Sequence, residues 1–457
     1  MKIVILGAGQ VGRTAAYHLS REEANDVTVV DTNEQVLRDL QGRLDIRTVA
    51  GSGSFPSVLE AAGAARAEVL IALTNSDEIN MLACEIAYTL YRTPTKIARI
   101  RSSEYASTPA LFSAEALRVD VWISPEQLVT EYIERLIRYP GALQVLTFAA
   151  GRVRLVGVRA ETGAPLVGQP IRMLREHLPD FDSHIVAVYR DGRRIEPGPE
   201  TVIEADDEVF LFATREHMRR VMDELRVAGE AARRIVIAGG GSIGLRLAHA
   251  LEDSHHVKVI ERNADRARYV AERLESAIVL NGDAADEELL IEENIDNSHV
   301  FAAVTNSEEA NILSAMLAKR LGARKVMALI NKPSYAELME SGSIDVAISP
   351  QTVTIGSLLA HVRRGDVVRV HSLRHGSAEV MEAIAHGRAG SSRIVGVAVG
   401  DIPLPDSATI GAITRGNDVI MAKDDTVVQE NDHVIIFLGD RRHVDQVEKL
   451  FVSGTSP

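Results

Sequence analysis

Gly7, Gly9 and Gly12 stand in the run GAGQVG, and Gly239, Gly241 and Gly244 stand in GGGSIG. Each run follows a β-branched stretch (KIVIL, then RIVIA) and precedes a helical pattern. In that setting the first glycine permits a tight turn. The second lets a pyrophosphate approach the backbone, and the third lets helix and strand pack closely. Unpaired N–H groups at the start of the helix then face the phosphates. An acid closes the second strand in both copies: Asp31, 24 residues after Gly7, and Glu261, 22 residues after Gly239. A carboxylate there accepts hydrogen bonds from an adenosine ribose and repels a 2′-phosphate, which favours NAD over NADP. A lone G-x-G-x-x-G also fits a structural turn without a ligand. The paired acid is what makes each run an adenine-nucleotide fingerprint.

Other polar positions fall at the carboxyl ends of the same strands, the edge where doubly wound folds bind ligands. Thr74-Asn75 and Thr305-Asn306 follow the fourth strands. Asn75 with Glu78, and Asn306 with Glu309, also suit plain helix capping. Arg99 and Arg101 share one strand face and are placed to meet phosphates or a carboxylate, or simply to be solvated. Their second-half counterparts are Leu329 and Asn331. After the third strands stand Gly51-Ser52 in one copy and Gly282-Asp283 in the other, so the two sites are not chemically equivalent.

The elements that position these residues repeat in register. KIVIL, DVTVVD, IRTVAG, EVLIALT, TKIARI and VDVWISP alternate with helical patterns. RIVIAG, HVKVIE, AIVLNGD, VFAAVTN, KVMALI and IDVAISP return in the same order. Such alternation predicts parallel βαβ units covered on both faces. After each ISP comes an amphipathic stretch, EQLVTEYIERLIRY and QTVTIGSLLAHVRR. Leu128, Tyr132, Leu136, Leu358 and Val362 on them are candidates for contacts between lobes or within their own lobe. Aligned from Thr201 and Thr426, the small segments that follow each read as strand, acidic turn, strand and closing helix. The fold expected is α/β: a tandem duplication of a Rossmann-like doubly wound parallel sheet, each copy followed by a small α+β lobe. The larger lobes span 1–124 and 232–350, the smaller ones 143–227 and 369–453, and the join lies around 226–234.

A chain of 457 residues has material for several domains, with 46% hydrophobic and 25% charged residues. Its net charge of −14 argues against general nucleic-acid binding and against electrostatic adsorption to an anionic membrane. The single Cys84 allows no intramolecular disulfide, and its apolar neighbourhood reads as a buried hydrophobe. No secretory leader pattern and no apolar run near spanning length is present. The His255-His256 pair reads as a solvated loop. No metalloprotease, nucleophile-elbow or P-loop pattern appears, and no acid–base constellation of a dehydrogenase is found, so the expectation is a protein that is not an enzyme and has no catalytic or metal-ligating residues. A ligand-binding fold without chemistry points to sensing, the ligand biasing a conformational equilibrium.

With two G-x-G-x-x-G units, each with a ribose acid, TNS-x-E-x-N and an attached small domain, the chain resembles the RCK (regulator of K⁺ conductance) family. It is most similar to the tandem-RCK regulatory subunits of bacterial Trk potassium uptake. The likeness covers nearly the whole chain, and IARIRSSEY adds specificity beyond a generic Rossmann fold. It implies NAD(H) or ATP/ADP as gating ligands. It also implies homotetrameric self-association at the cytoplasmic face of the inner membrane, peripheral to an integral potassium-translocating subunit of the TrkH/TrkG type. The implied nucleotide contacts are Gly7, Ala8, Gly9, Gln10, Val11, Gly12, Asp31, Gly51, Ser52, Thr74, Asn75 and Arg99. In the second lobe they are Gly239, Gly240, Gly241, Ser242, Ile243, Gly244, Glu261, Gly282, Asp283 and Thr305. Rival readings are a regulator of another cation exporter or antiporter, an NAD-dependent oxidoreductase, and a scaffold with vestigial pockets.

Overall fold

The computed structural model describes residues 1–21, 25–113, 116–227, 232–332, 335, 343–359, 361–362, 367–373, 377–388 and 392–451. Parts of the expected join (228–231), of the second amphipathic stretch (360, 363–364) and of the last small lobe (452–453 among them) lie outside the described residues.

The β-branched runs form β1 (Lys2–Leu6), β2 (Asp26–Asp31), β3 (Arg47–Ala50), β4 (Val69–Ala72), β5 (Thr95–Arg99) and β6 (Val121–Ile123). They pair in parallel in the order β3-β2-β1-β4-β5-β6, the doubly wound arrangement. Between them run α1 (Gln10–Leu19), α2 (Glu34–Gln41), α3 (Pro56–Ala61), α4 (Asp77–Tyr91) and α5 (Ser103–Ala106), with α6 (Pro125–Arg138) after β6. Helices on both faces explain why β4 is buried at every residue. Cys84 lies inside this core, and burial pushes its thiol up to about 12.

A five-stranded antiparallel sheet follows: β7 (Ala142–Phe148), β8 (Val153–Arg159), β9 (Ser183–Arg190), β10 (Arg193–Ile195) and β11 (Glu208–Thr214), in the order β10-β9-β11-β8-β7. It carries α7 (Met173–His177) and α8 (Met218–Asp223).

The pattern then repeats. The strands are β12 (Arg234–Ala238), β13 (His256–Glu261), β14 (Ile278–Asn281), β15 (Val300–Ala303), β16 (Lys325–Leu329) and β17 (Val346–Ile348). The helices are α9 (Ser242–Leu251), α10 (Ala264–Ala271), α11 (Glu287–Glu292), α12 (Glu308–Arg320) and α13 (Pro350–Leu359). The sheet order β14-β13-β12-β15-β16-β17 matches the first. The last sheet comprises β18 (Val367–Leu373), β19 (Ala378–Ile384), β20 (Ala408–Arg415), β21 (Asp418–Met421) and β22 (His433–Leu438), and α14 (Val444–Phe451) closes the described chain.

Three expectations need correction. The strands foreseen at Thr201 and Thr426 are only isolated bridges: Val202 to Pro170, Ile203 to Val167, and Val427 to Ala398. A buried aspartate shapes the acidic turn that follows each. Asp207 accepts from the Glu204 N–H (2.8 Å) and binds Arg190 through both oxygens; Asp432 does the same with Gln429 (2.7 Å) and Arg415. Closing the turn around that ion pair satisfies backbone groups that a strand would have needed a partner for. Finally, His256 opens β13 and His255 is half-buried against Ser254 Oγ at 2.8 Å, so only His256 is solvated.

The chain divides into two compact units. One contains residues 1–128 together with 353–362; the other contains 129–352 and the described residues beyond 362. Each unit thus takes a post-ISP helix from the other half of the sequence: most of α13 joins the first Rossmann lobe, and α6 beyond Leu128 joins the unit of the second. Leu136 on α6, and Leu358 and Val362, are fully buried in those settings.

Within the second unit the two antiparallel sheets share one core that includes Phe148, Phe210, Phe212 and Phe437. The Ala149 N–H donates to Glu382 Oε2 (3.0 Å), and Glu382 Oε1 meets His433 Nδ1 at 2.7 Å. Lys325, at the start of β16, donates to the carbonyl of Ala142 (2.8 Å) and faces that of Leu136 (3.5 Å). It borders a cavity of about 530 Å³ that Arg226, Glu161 and Asp345 also line.

Burial pulls the Lys325 ammonium down from 10.5 to about 7 against the attraction of Asp345. Between those values the unfolded chain binds the extra proton, so this group's contribution to stability rises with pH from about 7 and has no slope below it. Relative to Lys325→Met, the wild type should therefore gain stability as urea unfolding is followed from pH 7 to pH 9. A difference that does not change with pH would reject this.

Candidate functional site

Gly7 follows β1 at φ 96°, and Gly239 follows β12 at φ 108°, both in the left-handed region that favours glycine. A Cβ on Gly12 would lie 1.8 Å from the Gly7 carbonyl oxygen, and one on Gly244 would lie 1.9 Å from that of Gly239. The third glycine therefore brings helix and loop into contact. A Cβ on Gly9 or Gly241 would meet nothing within 4 Å, so this backbone faces open space, as a pyrophosphate site requires.

Helix capping separates these loops from most other helices of the Rossmann lobes, α3 after Phe55 being another start without a side-chain cap. Asn33, Ser76, Asn263, Asp286 and Ser307 cap α2, α4, α10, α11 and α12 with side-chain oxygens. Gly9 and Gly241 at the start of α1 and α9 offer none, and no acid lies in the first turn. The orphan N–H groups and the positive end of the dipole are left facing the glycine loop. Gln10 and Ser242 are exposed at these starts, Val11 is buried and Ile243 half-buried.

The two acids sit where the spacing puts them. Asp31 Oδ2 accepts from the Ala8 N–H (2.6 Å) and Oδ1 from the Asn33 N–H (2.8 Å). Glu261 repeats this with the N–H groups of Gly240 (2.7 Å) and Asn263 (2.8 Å). A Cβ on Gly240 would stand 3.2 Å from Glu261 Oε2 and 3.3 Å from its Cβ. The glycine makes room for the longer acid, whereas Ala8 faces the shorter one. Both carboxylates keep lone pairs for a ribose.

Thr74 and Thr305 lie at the carboxyl ends of β4 and β15, held by asparagines that the sequence motif contained but whose role it did not disclose. Asn80 Oδ1 accepts from Thr74 N–H (3.0 Å) and Oγ1 (2.7 Å), while its amide donates to the carbonyls of Thr74 (3.3 Å) and Arg99 (2.9 Å). Asn311 makes the same four bonds with Thr305 and Leu329. Asp77 and Glu308 fix the next turn, each accepting from two successive N–H groups, Arg101 and Ser102 or Asn331 and Lys332. The capping expected of Asn75 and Asn306 is corrected: Ser76 and Ser307 are the caps, one residue later, and the two asparagines are exposed.

Arg99 reaches the same edge, but its guanidinium meets Glu126 at 3.3 Å, with Arg101 at 3.7 Å from the same oxygen. Arg101 also donates to the Asn75 carbonyl. The second lobe has the buried Leu329 there. Gly51, at φ 149°, returns the chain from β3 with its N–H on the Asp31 carbonyl, and Ser52 bonds Ser54. Gly282 makes the matching bond to the Glu261 carbonyl, and Asp283 accepts from the Ala285 N–H. Among the described residues no group of three His, Cys, Asp or Glu could hold a metal ion, and no helix is long and apolar enough to cross a membrane.

Two doubly wound lobes with open glycine loops, each followed by a small antiparallel lobe, make up a tandem RCK-type fold. TrkA-N domain matches cover residues 3–125 and 235–350, and TrkA-C domain matches cover 155–226 and 389–452. The Trk system potassium uptake protein TrkA of Halomonas elongata is 57% identical over 99% of both chains. That of Vibrio alginolyticus is 55% identical over 99% of this chain and 98% of its own. The chain belongs to the TrkA family of Trk-system potassium uptake proteins. Its fold is shared with the GsuK RCK domain (TM-score 0.62, 19% identity, 98% of this chain and 94% of that one). It is also shared with the GsuK channel bound to NAD (0.60, 20%, 98% and 78%).

Proposed function

We propose that this chain is the nucleotide-sensing regulatory subunit of a potassium uptake system. Each Rossmann lobe binds an adenine nucleotide, NAD(H) or ATP/ADP, with phosphates on the open glycine loop and the ribose on Asp31 or Glu261. The observation that carries this reading is the twofold recurrence of one arrangement: an uncapped helix, a backbone facing open space at the second glycine, and an acid on the loop N–H. Family membership and the GsuK channel's binding of NAD support the ligand class. The protein performs no chemistry on the nucleotide. It assembles as a homotetramer at the cytoplasmic face of the membrane, docked on a potassium-translocating partner. A ligand that prefers one ring geometry by about 1–3 kcal/mol shifts it roughly 5–150-fold, enough to gate that partner.

Calorimetric titration with NAD⁺, NADH, ATP and ADP tests the pockets. Asp31→Ala removes a charge-assisted hydrogen bond and should weaken first-lobe binding about 10–150-fold. Glu261→Ala should do the same in the second lobe, each leaving the other site intact. Absence of binding by all four nucleotides would reject the sensing role, as would equal partner conductance with and without nucleotide.

A further inference from the structure

The lobes part company immediately after the ribose acid. Asp31-Thr32-Asn33-Glu34-Gln35-Val36 faces Glu261-Arg262-Asn263-Ala264-Asp265-Arg266. The register is secure, because Asn33 and Asn263 both cap the following helix and both give their N–H to the acid. Arg262 therefore replaces Thr32, and Arg266 replaces Val36.

Arg266 Nε donates to the Gly240 carbonyl at 2.7 Å, and its guanidinium lies over the Tyr269 ring at 4.5 Å. It is thus fixed against the same loop residue whose N–H Glu261 holds. Arg262 is exposed, and among the described residues no ion pair engages it. Asp265 faces Arg268 at 3.8 Å, and Asp283 has one oxygen on the Ala285 N–H. In the first lobe the corresponding loop carbonyl, that of Ala8, takes its arginine from α1, Arg13 at 2.8 Å. The segment after Asp31 offers no free cation there: Glu34 is paired with Arg38 at 3.4 Å.

A phosphate on the adenosine 2′-oxygen projects past the ribose acid toward this segment, where an arginine is what accommodates it. In the first lobe it would face Asp31 and Glu34. In the second it would face Arg262 and Arg266; the two acids are held alike, each by two N–H groups, so the arginines are what differ. We infer that the second lobe accepts a 2′-phosphorylated dinucleotide, NADP(H), that the first lobe rejects. The inference rests on the nucleotide-binding reading above. It narrows the preference for NAD drawn from the acids alone to the first lobe.

The test uses the full chain carrying Asp31→Ala, so that the second lobe reports alone, titrated with NAD⁺ and NADP⁺. NADP⁺ should bind within about threefold of NAD⁺, or more tightly. In the Glu261→Ala chain, where the first lobe reports, NADP⁺ should bind at least about tenfold more weakly than NAD⁺. Adding Arg262→Thr, an exposed change that spares the fold, or Arg262→Thr with Arg266→Val, should lower the NADP⁺/NAD⁺ affinity ratio about tenfold. A second lobe that favours NAD⁺ tenfold, or arginine changes that leave the ratio unmoved, would overturn the inference while leaving the pocket standing. Binding of neither dinucleotide by the Asp31→Ala chain would overturn the second pocket itself.

Discussion

In the Gly12→Ala variant, first-lobe nucleotide affinity should fall more than about a hundredfold and the lobe should lose about 1–3 kcal/mol of stability. The cause is one atom. The new Cβ arrives 1.8 Å from the Gly7 carbonyl oxygen, and that neighbour is backbone, with no side chain to swing away. Either α1 lifts from β1 or the loop opens, and both carry the Ala8 N–H off Asp31. Gly244→Ala should repeat the outcome in the second lobe, where the approach is 1.9 Å. Gly9→Ala is the informative control. Its Cβ meets nothing within 4 Å, so thermal unfolding should not change, but the methyl enters the space assigned to phosphate and binding should still collapse. Unchanged affinity in Gly9→Ala would move the phosphates elsewhere.

Asn80→Leu should cost more stability still, about 3–5 kcal/mol, because several buried polar groups lose their partner at once. The fully buried Asn80 amide is the shared partner of Thr74 N–H, Thr74 Oγ1 and two carbonyls. Leucine fills the volume but removes this partner from the Thr74 N–H and both carbonyls, while Thr74 Oγ1 keeps the Ser76 carbonyl at 3.2 Å. Asn80→Asp separates shape from chemistry: it retains an acceptor for the Thr74 groups but turns a carboxylate toward the Arg99 carbonyl in place of an N–H. If Asn80→Asp is as stable as wild type in urea titrations, the donor bond to Arg99 contributes nothing. If stability is lost and first-lobe affinity falls with it, Asn80 is what holds the Thr74 edge in place.

The contrast between Asn80 and Gly12 shows what kind of information a sequence exposes. Glycine spacing and strand-end acids are local, set by a turn and a pleat, so Gly7, Gly12, Asp31 and their repeats were legible. So were all twelve strands of the Rossmann sheets, through β-branched runs and their recurrence. Asn80 was visible as the last residue of TNS-x-E-x-N, but its role was not, because one of its four partners lies 19 residues away on the next strand. The cap was misplaced by one residue, since Asn75 with Glu78 has the spacing of a capping box. The better signal was Ser76 followed directly by two acids in the first turn. The engagement of Arg99 by Glu126 and the destinations of α6 and α13 depend on where elements pack, which no period encodes.

Those destinations bear on how the protein is made. The first compact unit needs residues 353–362, yet its other residues leave the ribosome 224 residues earlier. At about 5–20 residues per second, that part waits roughly 10–45 s for its last helix. During that interval a nascent chain exposes the bed that α13 will occupy, and the corresponding segment of a neighbouring chain on the same message is chemically identical. Intertwined products between chains are therefore the misassembly this architecture invites, and the order of synthesis, more than final stability, governs how often it happens.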